Sequence, residues 1–102
     1  MIVQTAFLTC PSESADELAA ALSQVAAVAL RDEPETVDYI VLRGPAGEST
    51  TQFTTIESFT SLTGMTAHNT STEVAAFFDR AGALLSGEPV VISNTLVPPA
   101  DL

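Results

Sequence analysis

The sequence predicts an α+β domain of the ferredoxin-like kind, β-α-β-β-α-β, with a four-stranded antiparallel sheet and helices on one face. Three observations carry this. Four runs rich in β-branched and apolar residues alternate with two long helical stripes. A Gly-Pro turn joins the second and third runs as a hairpin. Apolar side chains also fall on both parities of the strands, more than one layer of helices can cover.

Taken in order, Ile2 to Thr9 carries Ile2, Ala6 and Leu8 on one parity and Val3 and Phe7 on the other, the pattern of a strand covered on both faces; Pro11 ends it. Ser14 with Glu17 reads as a capping pair. The stripe Leu18, Leu22, Val25, Ala26 and Ala29 follows at helical spacing. Asp32-Glu33-Pro34 stops that helix, because the residue before a proline avoids the helical region. Val37 to Arg43 is the second strand, Gly44 to Gly47 a turn, and Thr50 to Phe59 the third strand. Its threonines, with Thr60, read as solvent-face residues chosen for strand propensity. Ser61 to His68 reads as a short helix. Thr70 with Glu73 then reads as a capping pair, with Ser71 in the cap region, for a helix carrying Val74, Phe77, Phe78, Ala81 and Leu85, which Gly87 and Pro89 end. Val90 to Val97 is the fourth strand, and residues 98–102 are a tail to what is otherwise one domain over 1–102.

Composition narrows the function. Three arginines, no lysine and 13 acidic residues give a net charge of −10, which repels phosphate backbones and anionic lipid surfaces, so neither nucleic acid nor membrane is an expected partner. The single cysteine, Cys10, has no partner for a disulfide and no basic neighbour to activate it. No Cys/His cluster has metal-ligand spacing, no glycine-rich phosphate loop is present, and no apolar run is long enough to span a membrane. A cytoplasmic domain is expected. The apolar second face of the sheet calls for a cover, and a second copy of the chain is the simplest one, so a homodimer is expected.

The run Ile56-Glu57-Ser58-Phe59, then Met65, Ala67-His68, Ser71 and Phe77, resembles the signature of antibiotic biosynthesis monooxygenase (ABM) domains, of the dimeric α/β-barrel superfamily. In that family an aromatic-Glu-x-Trp segment ends the third strand, and a His followed three residues later by Ser opens the next helix. Here His68 lies nine residues after Phe59 and three before Ser71. Glu33-Pro34, Val37, Tyr39 and Arg43 match the family's acidic-Pro-Gly, Tyr and Arg stretch, and the likeness runs from Ile2 to Val97. Phe59 replaces the family's Trp, and Glu35 or Thr36 stands where Gly is common. Haem-degrading relatives use a helix His, a strand Asn and a Trp. The matching positions here fall near Phe78 and Ala6 and the chain has no Trp, so haem is not implied.

The resemblance implies a cofactor-independent monooxygenase acting on an aromatic or quinol-type small molecule, in which the substrate anion itself passes an electron to O2. His68, the only histidine, is the expected proton acceptor, with Tyr39 and Glu57 as polar pocket groups. Phe53, Phe59, Met65, Phe77 and Phe78 are the expected walls, and Arg43 an anchor for an anionic group. Structural roles stand beside these: His68 capping the next helix or bonding Glu57, the phenylalanines as core, Arg43 on a surface acid. Two other functions fit the same scaffold, a non-catalytic dimeric module for a hydrophobic metabolite and an isomerase or cyclase.

Overall fold

Strand alternation sets the architecture. In β1 (Ile2–Pro11) the even residues Gln4, Ala6, Leu8 and Cys10 are buried, and in β3 (Thr50–Phe59) the odd ones from Thr51 to Phe59. The antiparallel register pairs Gln4 with Glu57, Ala6 with Thr55 and Leu8 with Phe53, so both buried sets share one face. β2 (Thr36–Arg43) lies outside β3 and β4 (Val90–Thr95) outside β1, giving the antiparallel order β2-β3-β1-β4. The computed structural model describes all 102 residues. Three helices pack on the buried face: α1 (Ala15–Asp32), α2 (Leu62–Asn69) and α3 (Thr72–Ala81). The fold is the expected ferredoxin-like one, with the short helix standing as an element of its own. None of its helices is long and apolar enough to cross a membrane.

The stripe Leu18, Leu22, Val25 and Ala29 of α1 is buried, as its spacing requires, and packs with Leu8, Phe53 and Phe77 in one core. The opposite face of the sheet carries Val3, Phe7, Ile40, Leu42, Ile56 and Ile92, and no element of the chain covers it; Ile40, Leu42 and Ile92 are exposed.

Several local expectations are corrected. Ser14 makes no capping bond: a 3₁₀ turn over Ser12–Ser14 feeds straight into α1, leaving Ser14 at φ −98°, ψ 0°, outside the extended region a cap needs. Ser61 and Ser71 have the extended backbone a cap needs, and each accepts from the amide three residues on, Gly64 and Val74, at 3.2 Å. Ser71, not Thr70, therefore starts α3; Thr70 ends α2 and donates its hydroxyl to the Thr66 carbonyl. α3 ends at Ala81, ahead of the expected Leu85, and a 3₁₀ turn over Gly82–Leu84 follows. A bulge at Val37 pushes that residue out to solvent, while Thr36 and Tyr39 stay inward. Thr51 and Thr55 are buried, not solvent-facing, because they share the parity of Phe53 and Phe59. β4 stops at Thr95, short of Val97: Thr95 pairs with Ile2, Leu96 reaches the Met1 carbonyl, and the partner strand is then exhausted.

Candidate functional site

Three chain features converge at one end of the buried face. Pro34 forces Glu33 out of the helix to φ −100°, ψ 107°, so α1 ends with a glutamate beside α2. The parity of β3 points Glu57 inward, and α2 carries His68 on its last turn. The imidazole lies between the two carboxylates: Nδ1 is 2.9 Å from Glu33 Oε1 and Nε2 is 3.2 Å from Glu57 Oε1. His68 and Glu57 are each 3% exposed, while the Glu33 side chain is 20% exposed. Around them the polar groups are paired. Gln4 Nε2 donates to Glu57 Oε1 at 3.0 Å and Thr55 Oγ1 to Glu57 Oε2 at 2.7 Å. Gln4 and Asn69 exchange two amide hydrogen bonds of 2.9 Å. Tyr39 and Phe59 pack on the imidazole with ring centroids 5.4 and 5.5 Å away.

A ring whose two nitrogens both face carboxylates is best satisfied as imidazolium, with both N–H groups donating. Burial pulls the His68 pKa down, but the hydrogen bond and charge of Glu57, then those of Glu33, overcome it and hold the pKa above its ordinary value. Two carboxylates flank a single imidazole, so the group of Glu33, His68 and Glu57 is net negative whether or not the ring is protonated. Tyr39 is held neutral: burial first, then the charges of Glu57 and Glu33, raise its phenol pKa far out of the working range. The two carboxylates address opposite edges of the ring and do not converge on a point; no cluster of three His, Cys, Asp or Glu is placed to share a metal ion.

Above this group opens a cleft of about 240 Å³ between sheet and helices. Its polar end is Tyr39, Glu57, His68 and the Gln4–Asn69 pair; its apolar walls include Leu22, Val25, Phe77, Phe78 and Val91. The Tyr39 hydroxyl has no hydrogen-bond partner within the protein, yet no buried polar side-chain atom is left unpartnered, so that hydroxyl opens onto the cleft. Phe77 and Phe78 meet edge to face at 5.1 Å.

Of the residues expected at a site, Tyr39, Glu57, His68, Phe77 and Phe78 are brought together here. Phe53, Phe59, Met65 and Arg43 do not line the cleft. Phe53 and Phe59 are fully buried core, Met65 accepts a hydrogen bond from Ser93, and Arg43 pairs with Asp16 at 2.8 Å above the Phe53 ring. His68 offers no bare nitrogen to a substrate, because a carboxylate holds each side of the ring. Its backbone carbonyl, not its ring, receives the Ser71 amide at the start of α3. Cys10 is fully buried, and burial raises its thiol pKa although Arg43 opposes this, which disfavours the thiolate. Sequence reasoning missed Glu33, Gln4 and Asn69. Gln4 left a signal: it is the one amide among the inward residues Ile2, Ala6, Leu8 and Cys10, and such a residue needs a buried partner.

The sequence model of the antibiotic biosynthesis monooxygenase (ABM) domain matches residues 1–80. No curated protein matches the chain in sequence. Solved structures share the fold. A Caulobacter crescentus protein, provisionally described as an antibiotic biosynthesis monooxygenase, superposes with TM-score 0.85 at 22% identity, covering 95% of this chain and 90% of that one. A Nitrosomonas europaea protein of the same provisional description gives 0.86 at 13% identity over 98% and 93%. Rv0793 from Mycobacterium tuberculosis gives 0.82 at 17% identity over 98% of both chains.

Proposed function

This chain belongs to the antibiotic biosynthesis monooxygenase family, and on that premise we propose that it is a homodimer that oxidises a small phenolic or quinol-type ring with O2 and no bound cofactor. The observation that carries the reading is the cleft itself: apolar walls ending in a phenol donor with no protein partner, Tyr39, beside the carboxyl group of Glu57. A phenol placed there gives its proton to Glu57 Oε2, which takes only the Thr55 hydroxyl and keeps a free lone pair. The neutral Tyr39 hydroxyl donates to the phenolate that forms. The phenolate passes one electron to O2, and the radical pair combines at the ring carbon para to the oxygen, giving a peroxide anion that takes the proton back from Glu57 as a hydroperoxide. The hydrogen on that carbon then leaves as a proton, its electron pair forms the C=O bond as the O–O bond breaks, and the proton and the departing hydroxide combine, giving a quinone and water. One phenol and one O2 become one quinone and one water, so no external reductant is needed. His68 is a positioning residue that holds Glu57 in place from the far side. The apolar outer face of the sheet, with Ile40, Leu42, Ile56 and Ile92, is the dimer surface, leaving the cleft open on the helix side.

The test is O2 uptake by metal-free protein with 1-naphthol and a panel of quinols, with 18O2 as label and sedimentation for mass. Expected are one labelled oxygen in the quinone, one in water, loss of turnover in Glu57→Gln, and twice the 10.6 kDa chain mass. Ile56→Glu is expected to give monomers. No uptake across the panel sinks the enzyme reading. A second reading then stands, a dimeric module that binds an apolar metabolite without turnover. It is favoured by one observation: His68 has both nitrogens engaged.

A further inference from the structure

The charge of the cleft has a consequence for what enters it. None of the three arginines reaches its lining. Arg43 is held by Asp16 and Arg31 by both oxygens of Asp32, at 2.8 Å, and Arg80 lies in the outer groove between α1 and α3 beside Glu73. The one cation at the polar end, His68, is already shared between two carboxylates. An anionic ligand in this cleft therefore leaves water for walls of Leu22, Val25, Phe77 and Val91, gains no counter-charge, and faces the net negative charge of Glu33, His68 and Glu57. The Tyr39 hydroxyl is a donor with no bond to the protein, and it asks for an oxygen acceptor. Size sets a third limit. An apolar cavity of about 150 Å³ takes benzene, so 240 Å³ takes roughly one and a half times as much, a two-ring molecule.

We propose that the cleft selects uncharged, naphthol-sized rings bearing one oxygen for Tyr39, and that the Glu57–His68–Glu33 group rejects carboxylates and phosphate esters of the same size. The selection deepens the oxidation reading above, and rests on it only for the identity of the reaction. A ligand of this class binds with its oxygen at Tyr39 and its second ring against Phe77 and Phe78.

Binding of three matched probes to the wild-type dimer, by ligand-observed NMR or by naphthol fluorescence, tests it: 1-naphthol, naphthalene and 1-naphthoate. The expected order is naphthol, then naphthalene, then naphthoate, with naphthol at least tenfold tighter than naphthoate. Tyr39→Phe keeps the ring and its packing, and is expected to bring naphthol down to the affinity of naphthalene while leaving naphthalene unchanged. Salt separates the local group from the overall charge of −10. At 1 M ionic strength the screening length falls to about 3 Å, which silences distant surface charge but not a carboxylate on the wall, so the gap is expected to persist. Naphthoate binding as well as naphthol, a gap that closes in high salt, naphthol affinity indifferent to Tyr39→Phe, or no binding by any probe each overturns the proposal. Selective binding without O2 uptake leaves it standing and defeats the oxidation reading instead.

Discussion

Replacing His68 with leucine removes the one cation between two carboxylates that the fold brings together. Glu33, 20% exposed, can swing its carboxylate into water; Glu57, at 3%, cannot. The loss is therefore one stranded buried charge, softened by the hydrogen bonds Glu57 keeps from Gln4 and Thr55. Breaking a buried pair costs 3–5 kcal/mol, and the retained bonds place this case near the lower end, at about 3 kcal/mol. That is a large share of the roughly 5–15 kcal/mol that holds a domain of this size. At about 4–8 °C per kcal/mol it lowers Tm by about 12–24 °C. Urea unfolding at one fixed protomer concentration measures it, since the proposed dimerisation would make apparent stability concentration-dependent. The double variant His68→Leu/Glu57→Leu discriminates: with both partners apolar no charge is stranded, and at least ~1.5 kcal/mol of the single-variant loss is expected to return. A single-variant cost below ~1 kcal/mol, or a double variant no better than the sum of its singles, refutes the ion-pair account.

The same group gives the protein a pH dependence of definite sign. Because the folded pKa of His68 lies above its ordinary 6.5, its contribution is fully present below pH 6.5 and is lost as pH rises through the folded value. Urea midpoints of wild type and His68→Gln are expected to converge on the alkaline side of that window and to separate most below it. Gly64→Ala is expected to cost about 1–3 kcal/mol by overpacking, since a Cβ there meets Glu35 Cβ at 2.5 Å and drives that carboxylate from Ser61 and Thr60; thermal unfolding reads it. Ser71→Ala is expected to cost about 1 kcal/mol as a lost cap while Ser14→Ala costs only a few tenths, because only Ser71 caps; parallel melting curves make the comparison.

Much of the fold was legible because its signals are local and periodic: the α1 stripe, the stop at Pro34, the β2–β3 hairpin and the two apolar parities. Misreadings arose where distant structure decides. Thr51 and Thr55 look like solvent-face strand residues one at a time, and only parity with Phe53 and Phe59 turns them inward. Val97 has strand composition but no partner, because β1 begins at Ile2. The site was half legible. His68, Glu57 and Tyr39 stand out by type and by family pattern, while Glu33 reads as a helix stop and is recruited across 35 residues of chain. Met65 shares helical spacing with His68 yet turns to Ser93, since α2 has no apolar face to bury.

That last feature decides how the site must be tested. An ordinary helix docks by an apolar stripe, but α2 buries only Gly64 and His68, and its Leu62 is 61% exposed. What ties it to the rest of the fold is polar: His68 on Glu57 of β3 and on Glu33 at the end of α1, Asn69 on Gln4 of β1, and its cap Ser61 on Glu35 ahead of β2. The imidazolium thus does for α2 what leucines do for α1, whether or not any chemistry occurs in the cleft. Loss of activity in a His68 variant follows equally from a displaced helix and from a lost catalytic group, and cannot tell them apart. Tyr39→Phe carries the decision instead. It removes one oxygen that no protein group bonds, leaves the ring on His68, and is expected to leave Tm nearly unmoved. A fall in kcat/KM for 1-naphthol with unchanged Tm then reports on the site, its binding and its chemistry together, and not on a displaced helix; an unchanged kcat/KM removes Tyr39 from it.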